Sequence, residues 1–464
     1  MQKVICYVRP WNSAQFKVIC GKAFGNSDVH YISDFLGAGG LNLQETFYSY
    51  IDLYQESIGY GDVGLSEVDA EDIRKRCRLL RELKFAKAKK MIICMWQAID
   101  QVYQEVEPDV GIGLTIDSYV IDLIRLRLSY AGKEYIGIVV SFINDYFRVT
   151  ARGEFLLSYN PSSKEVDDAC YALLVDEQRA HFITEIDTEK LQKKLILKGA
   201  IKDKARFYYF YMRLMFSKDK YNYHWMTTVN SSRKNKSLEL KLSSKGWSEN
   251  LGSQSDDKFR MFIPLQYFPE ATVDYWTPNI GYIEYYKVLN EIIVQCKNCN
   301  VKVFLKEHPA MLGVRPSKFY DDLIQNGHVV LVPTFVNAKT IIKNTDCTMV
   351  WTGTAGFEAA VRGKPVIHLG KPYYLKGRWF RYLDNINLFE ESIQWARDMS
   401  TEKVSEEEQR EMVSFVLSGC LPGSFKQPKR SGVGGWVTSN LDDQKVGDSI
   451  DGYLDRGHFA KSNT

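Results

Sequence analysis

Short apolar runs alternate with longer segments whose apolar residues return every three or four positions, and this alternation occurs in two stretches of the chain. Between 258 and 374 the runs at 260–265, 301–305, 329–332, 348–351 and 365–369 predict strands. The segments 282–297, 316–326, 338–344 and 357–362 carry helical spacing, the second opened by Pro316, whose fixed φ suits a first helical position. From residue 1 to 155 the same reading predicts strands at 4–8, 29–32, 110–114 and 135–140 and helices at 43–55, 70–106 and 118–130. Strands separated by helices predict α/β domains with parallel sheets covered on both faces.

The alternation fails from 156 to 257. There 167–180, 188–197 and 203–216 are expected to be helical, and 230–257, rich in Ser, Lys and Asn, to be a mobile linker. Beyond 400 a helix over 405–417 precedes a tail rich in Gly, Ser and Asp, expected to be poorly ordered at its end. The expected plan is an α/β domain over 1–155, a helical connector and linker over 156–257, a second α/β domain over 258–400, and a C-terminal helix and tail over 401–464.

Open sheets bind ligands beyond the carboxyl ends of their strands. In the second domain those ends carry Gln266, the loop Lys306-Glu307-His308-Pro309, Thr334, the loop from Thr352 through Gly353 and Thr354 to Glu358, and Tyr373 with Tyr374. Hydroxyls and an approachable backbone at a helix start suit an anion, and Glu358 one turn on suits ribose hydroxyls. Lys306 offers a cation and His308 a ring N–H to a diphosphate or a departing nucleoside phosphate. The plain alternatives are a capped helix with a glycine turn and a His-Pro turn.

In the first domain the strand ends carry Arg9, Asp34, Asp117, and Asn144 with Asp145. Asp117, ahead of a helix, is the preferred general base; the competing reading makes Asp117-Ser118 a helix N-cap. The charged segment from Arg148 through Arg152 to Glu154 is expected to line the ligand side and bind a phosphate or an acidic sugar, or else to form a surface turn.

Composition narrows the classes. With 464 residues, 45% of them apolar and 13% aromatic, the chain can build two or three cores. A net charge of +3 gives no ground for nucleic-acid binding. Basic clusters at 74–81 and 84–90 read as a solvated helix face, the other reading being contact with anionic lipid headgroups. No apolar run reaches the ~20 residues of a membrane span, and 1–8 reads as a strand rather than a signal peptide. The expected location is the cytoplasm, with peripheral contact at the inner membrane face as the further option. Nine scattered cysteines fit reduced core thiols, and Cys296 with Cys299, lacking a second ligand pair, predicts no zinc. The aromatic run 207–211 is expected to pack against a neighbouring domain or to stack on sugar rings.

Phe262-Ile263-Pro264-Leu265-Gln266-Tyr267-Phe268-Pro269-Glu270, Lys306-Glu307-His308-Pro309, Thr352 to Glu358, Gly363-Lys364-Pro365-Val366 and Gly370-Lys371-Pro372-Tyr373-Tyr374, in this order, resemble the capsule polysaccharide biosynthesis family over the second half of the chain. Two residues separate Gln266 from Pro269 where the family has Gln-Pro, and Trp351 stands where smaller polar residues are common. The resemblance implies a GT-B fold, two Rossmann-like domains facing across a cleft, and relatives that include bacterial Kdo transferases using CMP-Kdo.

It implies a glycosyltransferase that moves a sugar from a nucleotide donor to a growing bacterial surface polysaccharide, capsule or lipopolysaccharide. The donor would lie on Gln266, Lys306, His308, Thr352, Gly353, Thr354, Glu358 and Tyr373, and the acceptor on Arg9, Asp145, Arg148 and Arg152. Asp117 and His308 would be catalytic. No Asp-x-Asp triplet occurs, so inverting transfer without metal or other cofactor is expected, the leaving group being held by a helix dipole, Lys306 and His308. The alternatives are a CDP-polyol phosphotransferase or nucleotide-sugar epimerase of the same fold, and a non-catalytic nucleotide-sugar-binding subunit of a polysaccharide assembly complex.

Overall fold

The computed structural model describes residues 1–36, 40–176, 186, 188–234, 243–252, 258–268, 270–315, 317–325, 328–430 and 436–455. Residues 235–242 and 253–257 of the expected linker, Pro269, Pro316, Asn326, the last turn of the expected 167–180 helix and the end of the tail lie outside the described residues, and the described part of the linker is largely helical, in Tyr223–Lys234 and Trp247–Gly252. The chain divides into two compact units, one formed by 1–161, 217–223 and 416–464 and the other by 162–216 and 224–415. Both are α/β units on largely parallel sheets.

In the first unit, β1 (Lys3–Tyr7), β2 (Asp28–Ser33), β3 (Leu41–Asn42), β4 (Val110–Leu114) and β5 (Glu134–Val140) are parallel and lie in the order 3-2-1-4-5. This is the doubly wound arrangement, which reverses direction between β1 and β4. β6 (Tyr146–Val149) returns antiparallel on β5. The apolar runs bury Val4, Cys6, Ile112, Ile136 and Ile138 with Phe16 and Ile19 of α1 (Ser13–Ala23).

The helices α2 (Leu43–Leu53), α3 (Glu67–Arg76), α4 (Phe85–Val106) and α5 (Tyr119–Tyr130) complete the layers. Asn42, Ser66 and Ser118 each cap α2, α3 and α5 by accepting a backbone N–H from the first turn. The helix expected over 70–106 is broken between α3 and α4, with a short 3-10 turn at Leu80–Glu82. Extended backbone at Cys77 and Leu83 turns Cys77, Leu79 and Leu80 into the core, where an unbroken helix would spread them around its circumference.

The expected tail belongs to this unit as well. Leu421–Pro422 adds an antiparallel strand to β6, and the helix Asn440–Asp455 lies along α1. Gly447 permits that approach, since a Cβ there would stand 2.7 Å from the Ile19 carbonyl oxygen. Gln15 donates to Asp443 at 2.8 Å, and Val446, Ile450 and Tyr453 fill the core. Burying such side chains contributes roughly 1.5–3 kcal/mol each, which is what makes the segment part of the fold.

The second unit carries six parallel strands, β7 (Phe259–Pro264), β8 (Val301–Lys306), β9 (Val329–Val332), β10 (Cys347–Val350), β11 (Val366–His368) and β12 (Phe380–Tyr382), in the order 12-11-10-7-8-9. Counted from β7 this is again 3-2-1-4-5-6, with the reversal between β7 and β10. Met261, Ile263, Val303, Leu305, Met349 and Ile367 pack with the helix Tyr285–Asn298. Trp351 is core: its indole donates to the Tyr282 carbonyl at 3.0 Å and its ring lies 4.6 Å from Tyr285.

The helices α6 (Ser163–Leu174) and α7 (Glu189–Phe216) belong to this unit. The break expected between 197 and 203 is absent. Within α7, Gly199 lets the helix meet the Leu312 carbonyl, where a Cβ would come within 2.4 Å. Among the described residues no helix is long and apolar enough to cross a membrane.

Candidate functional site

Gln266 follows β7, Lys306 ends β8, Thr352 follows β10 and Tyr373 follows β11. Because β8, β7, β10 and β11 are consecutive neighbours, their loops stand side by side on one edge of the sheet. At about 4.8 Å per strand, the ends of β8 and β10 are about 10 Å apart with the Gln266 loop between them. β7 and β10 flank the reversal point, where doubly wound sheets leave a crevice.

The β8 loop rests on a buried ion pair that sequence reasoning passed over. Glu307, 2% exposed, accepts from Arg315 Nε at 2.7 Å, from the Tyr320 hydroxyl and from the His308 backbone N–H. Arg315 also donates to the Gln266 carbonyl and to the Tyr286 hydroxyl, so the β7 and β8 loops share one anchor. Burial alone would lower the Arg315 pKa, but the Glu307 charge outweighs it and keeps the guanidinium ionised. The available signal was an acidic residue between Lys306 and His308 with an arginine eight positions on.

With Glu307 turned inward, Lys306 and His308 lie at the partly exposed rim. His308 Nδ1 accepts the Ala310 N–H at 3.2 Å, so the neutral ring carries its proton on Nε2. Burial, helped by the charges of Arg315 and Lys306, lowers its pKa to about 4. At neutral pH the ring is therefore an uncharged N–H donor, and Lys306 supplies the charge.

In the β10 loop, the Thr354 side chain makes no capping hydrogen bond to the helix Ala355–Ala360, so the plain cap reading lacks its bond. The buried Thr352 Oγ1 meets no partner among the described residues. Gly353 lies against Gln266, whose Oε1 would be 3.4 Å from a Cβ at that glycine. Gln266 in turn donates to Glu270. Glu358 stands partly exposed in the first helical turn, and Thr334 is buried.

Tyr373 departs from its expected donor contact. Its ring is buried edge-on to Trp276, whereas Tyr374 donates its hydroxyl to the Gly353 carbonyl and braces the loop. Gly356 makes room for it: a Cβ there would stand 2.6 Å from the Tyr374 hydroxyl.

The first unit's strand ends behave differently. Arg9 follows β1 and Asp117 follows β4, and they form a fork: Nη1 donates to Oδ2 at 2.7 Å and Nη2 to Oδ1 at 2.6 Å. Arg9 Nε donates to the Tyr7 hydroxyl, which donates to buried Asp34. Burial raises the Asp34 pKa despite the nearby Arg9 charge.

Arg9, 5% exposed, is thus committed inside the protein rather than to an acceptor. Ser118, not Asp117, caps α5. Asp117 is one-third exposed at its side chain, and both of its oxygens accept from the guanidinium, so a proton taken there competes with that pair.

The charged segment near 150 is scaffold as well. Arg148 is fully buried and donates to the carbonyls of Gly419 and Glu154, so it cannot line an acceptor site. Arg152 is held by Asp122 and Asp72, from α5 and α3, while Glu154 accepts the Ala151 and Arg152 N–H groups. Asp72 and Asp122 are remote from Arg152 in sequence, and the fold brings them to it. Asp145 is exposed in the turn between β5 and β6 at φ 63°. The basic cluster of 74–81 is likewise paired, Arg74 with Glu71 and Arg76 with Asp72.

An open depression of about 670 Å³ lies at the amino end of β8, lined by Asn298, Asn300, Glu390 and Arg397 among others. It is on the opposite edge from the strand-end loops, with amides, two glutamates and one arginine in its lining.

Comparison with known proteins bears on the segment that holds these loops. Residues 173–377 match a family model described as capsule polysaccharide biosynthesis protein, and all the motif positions up to Tyr374 fall inside it. The resemblance read from the motifs holds over that segment. The capsule polysaccharide modification protein LipA of Neisseria meningitidis is 30% identical over 78 residues, 17% of this chain and 11% of that protein's length.

Among solved structures, the chain is similar to the beta Kdo 2,7 transferase KpsC of Thermosulfurimonas dismutans, with 12% identity, 98% and 100% coverage of the two chains and a TM-score of 0.37. UDP-GlcNAc 2-epimerase of Methanocaldococcus jannaschii also matches, with 12% identity, 98% and 99% coverage and a TM-score of 0.24.

Proposed function

We propose, from the match of residues 173–377 to a family model described as capsule polysaccharide biosynthesis protein, that this chain is a GT-B glycosyltransferase acting on a bacterial surface polysaccharide. Its donor is a nucleotide sugar, a CMP-sugar of Kdo type being the first candidate, and its acceptor a glycan or lipid-linked glycan. What supports the reading is one arrangement: Lys306, the His308 ring N–H and the Gly353-Thr354 loop on neighbouring strand ends at a reversal point.

In this mechanism the departing phosphate lies between the β8 and β10 loops. Lys306 offsets its charge, His308 Nε2–H donates to an oxygen that gains charge in the transition state, and backbone N–H groups with Thr354 complete the cradle. Gln266 and Glu358 face the sugar and ribose side. The proposed proton acceptor for the attacking hydroxyl is Asp117, with the proton transfer displacing part of its pairing to Arg9. The transfer needs no metal, because Lys306 and His308 do the work a divalent ion does elsewhere.

The test joins binding to turnover. Thermal-shift screening against CMP, CDP, UDP, UMP and GDP identifies the nucleotide, since a tight ligand raises the melting temperature by mass action. His308→Ala then lowers turnover by on the order of a hundredfold or more, as loss of an oxyanion donor does, and a chelator leaves the native rate unchanged. Unchanged turnover in His308→Ala removes the assignment.

A further inference from the structure

α7 has two unlike apolar faces. Ile196 and Ala200 are buried toward the body of the second unit, as expected of a packed helix. On another side Leu197, Ile201, Tyr208, Met212 and Met215 are each between 53% and 65% exposed, and Phe216 is 79% exposed.

The intervals of four, seven, four and three residues keep the first five on one stripe, roughly 60° wide at 100° per residue. From Leu197 to Phe216 the stripe runs roughly 28 Å. Five large apolar side chains exposed along one side of a helix mark a candidate interaction surface.

Charge selects the partner. α7 carries eight Lys and Arg residues against two acidic ones. The acids are engaged locally: Glu189 pairs with Lys193 at 2.7 Å, and Asp203 accepts from Ser232 at 2.8 Å. Lys194, Lys198 and Lys204 are exposed on or within about 40° of the stripe, where their stems can cover apolar surface while the charges reach outward, and Lys202 and Arg206 are exposed farther round the helix. A second copy of this chain would bring the same cations face to face. An anionic phospholipid surface neutralises them and takes up the stripe, which is how basic amphipathic helices lie in a membrane interface.

We propose that the exposed face of α7 docks the protein on an anionic phospholipid bilayer, with Tyr208, Met212 and Met215 sunk at the headgroup boundary and the lysines against the phosphates. The cluster at 74–81, which sequence reasoning offered for headgroup contact, is not that surface, because Arg74 and Arg76 are paired within their own helix. The docking surface stands independently of which nucleotide sugar the second unit binds.

The test is sedimentation of the full chain with vesicles of phosphatidylcholine, with and without phosphatidylglycerol. Binding should be at least tenfold tighter to the anionic vesicles and should fall steeply with added salt, as electrostatic attraction is screened. The triple variant Tyr208→Ser, Met212→Ser, Met215→Ser should lose at least tenfold, and so should Lys194→Gln with Lys198→Gln and Lys202→Gln. All six side chains are exposed, so melting temperatures should stay at the native value; Arg74→Gln should bind as the native chain does.

Equal binding to neutral vesicles, binding to neither, or undiminished binding by the stripe variant overturns the proposal. So does a dimer in sedimentation velocity that the stripe variant abolishes. Should a variant fail to fold, the lipid and salt dependence of the native chain still decides.

Discussion

At the reversal point of the first sheet, the residues beyond β1 and β4 are Arg9 and Asp117, and they close on each other. At the reversal point of the second sheet, the residues beyond β7 and β10 are Gln266 and Gly353, and no charge joins them. There the strong pair, Glu307 with Arg315, has moved below the rim, leaving His308 and Lys306 at the edge. The same strand order thus carries one charged pair that spans the reversal point and one that lies buried behind a single loop. The lesson is that a charged residue at a strand end can be scaffold, as Arg9 is.

That contrast can be broken in steps. Arg315→Met should be the most damaging, destabilising by about 3–5 kcal/mol because it leaves Glu307 charged and buried without its partner; the denaturant midpoint reads it. His308→Ala should leave that midpoint nearly in place while turnover falls on the order of a hundredfold, about 2.7 kcal/mol of barrier. A variant that loses both equally would mean the histidine is a strut like Arg315.

Acid should act on the second unit through its histidines. His308 and His368 are both lowered from 6.5 to about 4, mainly by burial. The unfolded chain takes up these protons first, so their contribution is present above pH 6.5 and is lost as the pH falls toward 4. The loss is about 3 kcal/mol per histidine at most. Denaturation midpoints measured across that range should slope downward, and His308→Gln should remove about half of the slope.

Arg9→Met should cost less than Arg315→Met, about 1–2 kcal/mol, because Asp117 is one-third exposed and regains water. If the two losses prove equal, the two clusters are not different in kind. The smallest effect should be Thr354→Ala, below ~0.5 kcal/mol in stability because no cap bond is lost. Its effect should be seen instead as a smaller thermal shift with the nucleotide that stabilises the native chain.

Most of the second unit was legible in the sequence. Five of its six strands were placed within a residue or two, and the positions of Gln266, Lys306, His308 and Thr352 beyond them followed, because a buried parallel strand must be a short apolar run; the half-buried β12, Phe-Arg-Tyr, carries no such run and was not expected. Two boundaries went astray: the helix runs through Gly199, which serves a close contact, and the C-terminal segment contributes Leu421, Phe425, Val446, Ile450 and Tyr453 to a core. The break between α3 and α4 left no Gly or Pro to announce it.

The candidate site was legible by position but not by role. Arg9 and Arg152 are as polar in the sequence as Lys306 is, and nothing local says that Asp117, Asp72 and Asp122 will stand beside them.

The sequence by itself determined the two alternating α/β units, the polar residues at their strand ends and the order of the motifs, because periodicity and apolar run length act over a few neighbouring residues. Only the tertiary structure decided which charges cancel. Arg9 meets Asp117 across more than a hundred residues, and Arg152 meets Asp72 across eighty. Ion pairing depends on distance in space and on the exclusion of water, and chain neighbours specify neither.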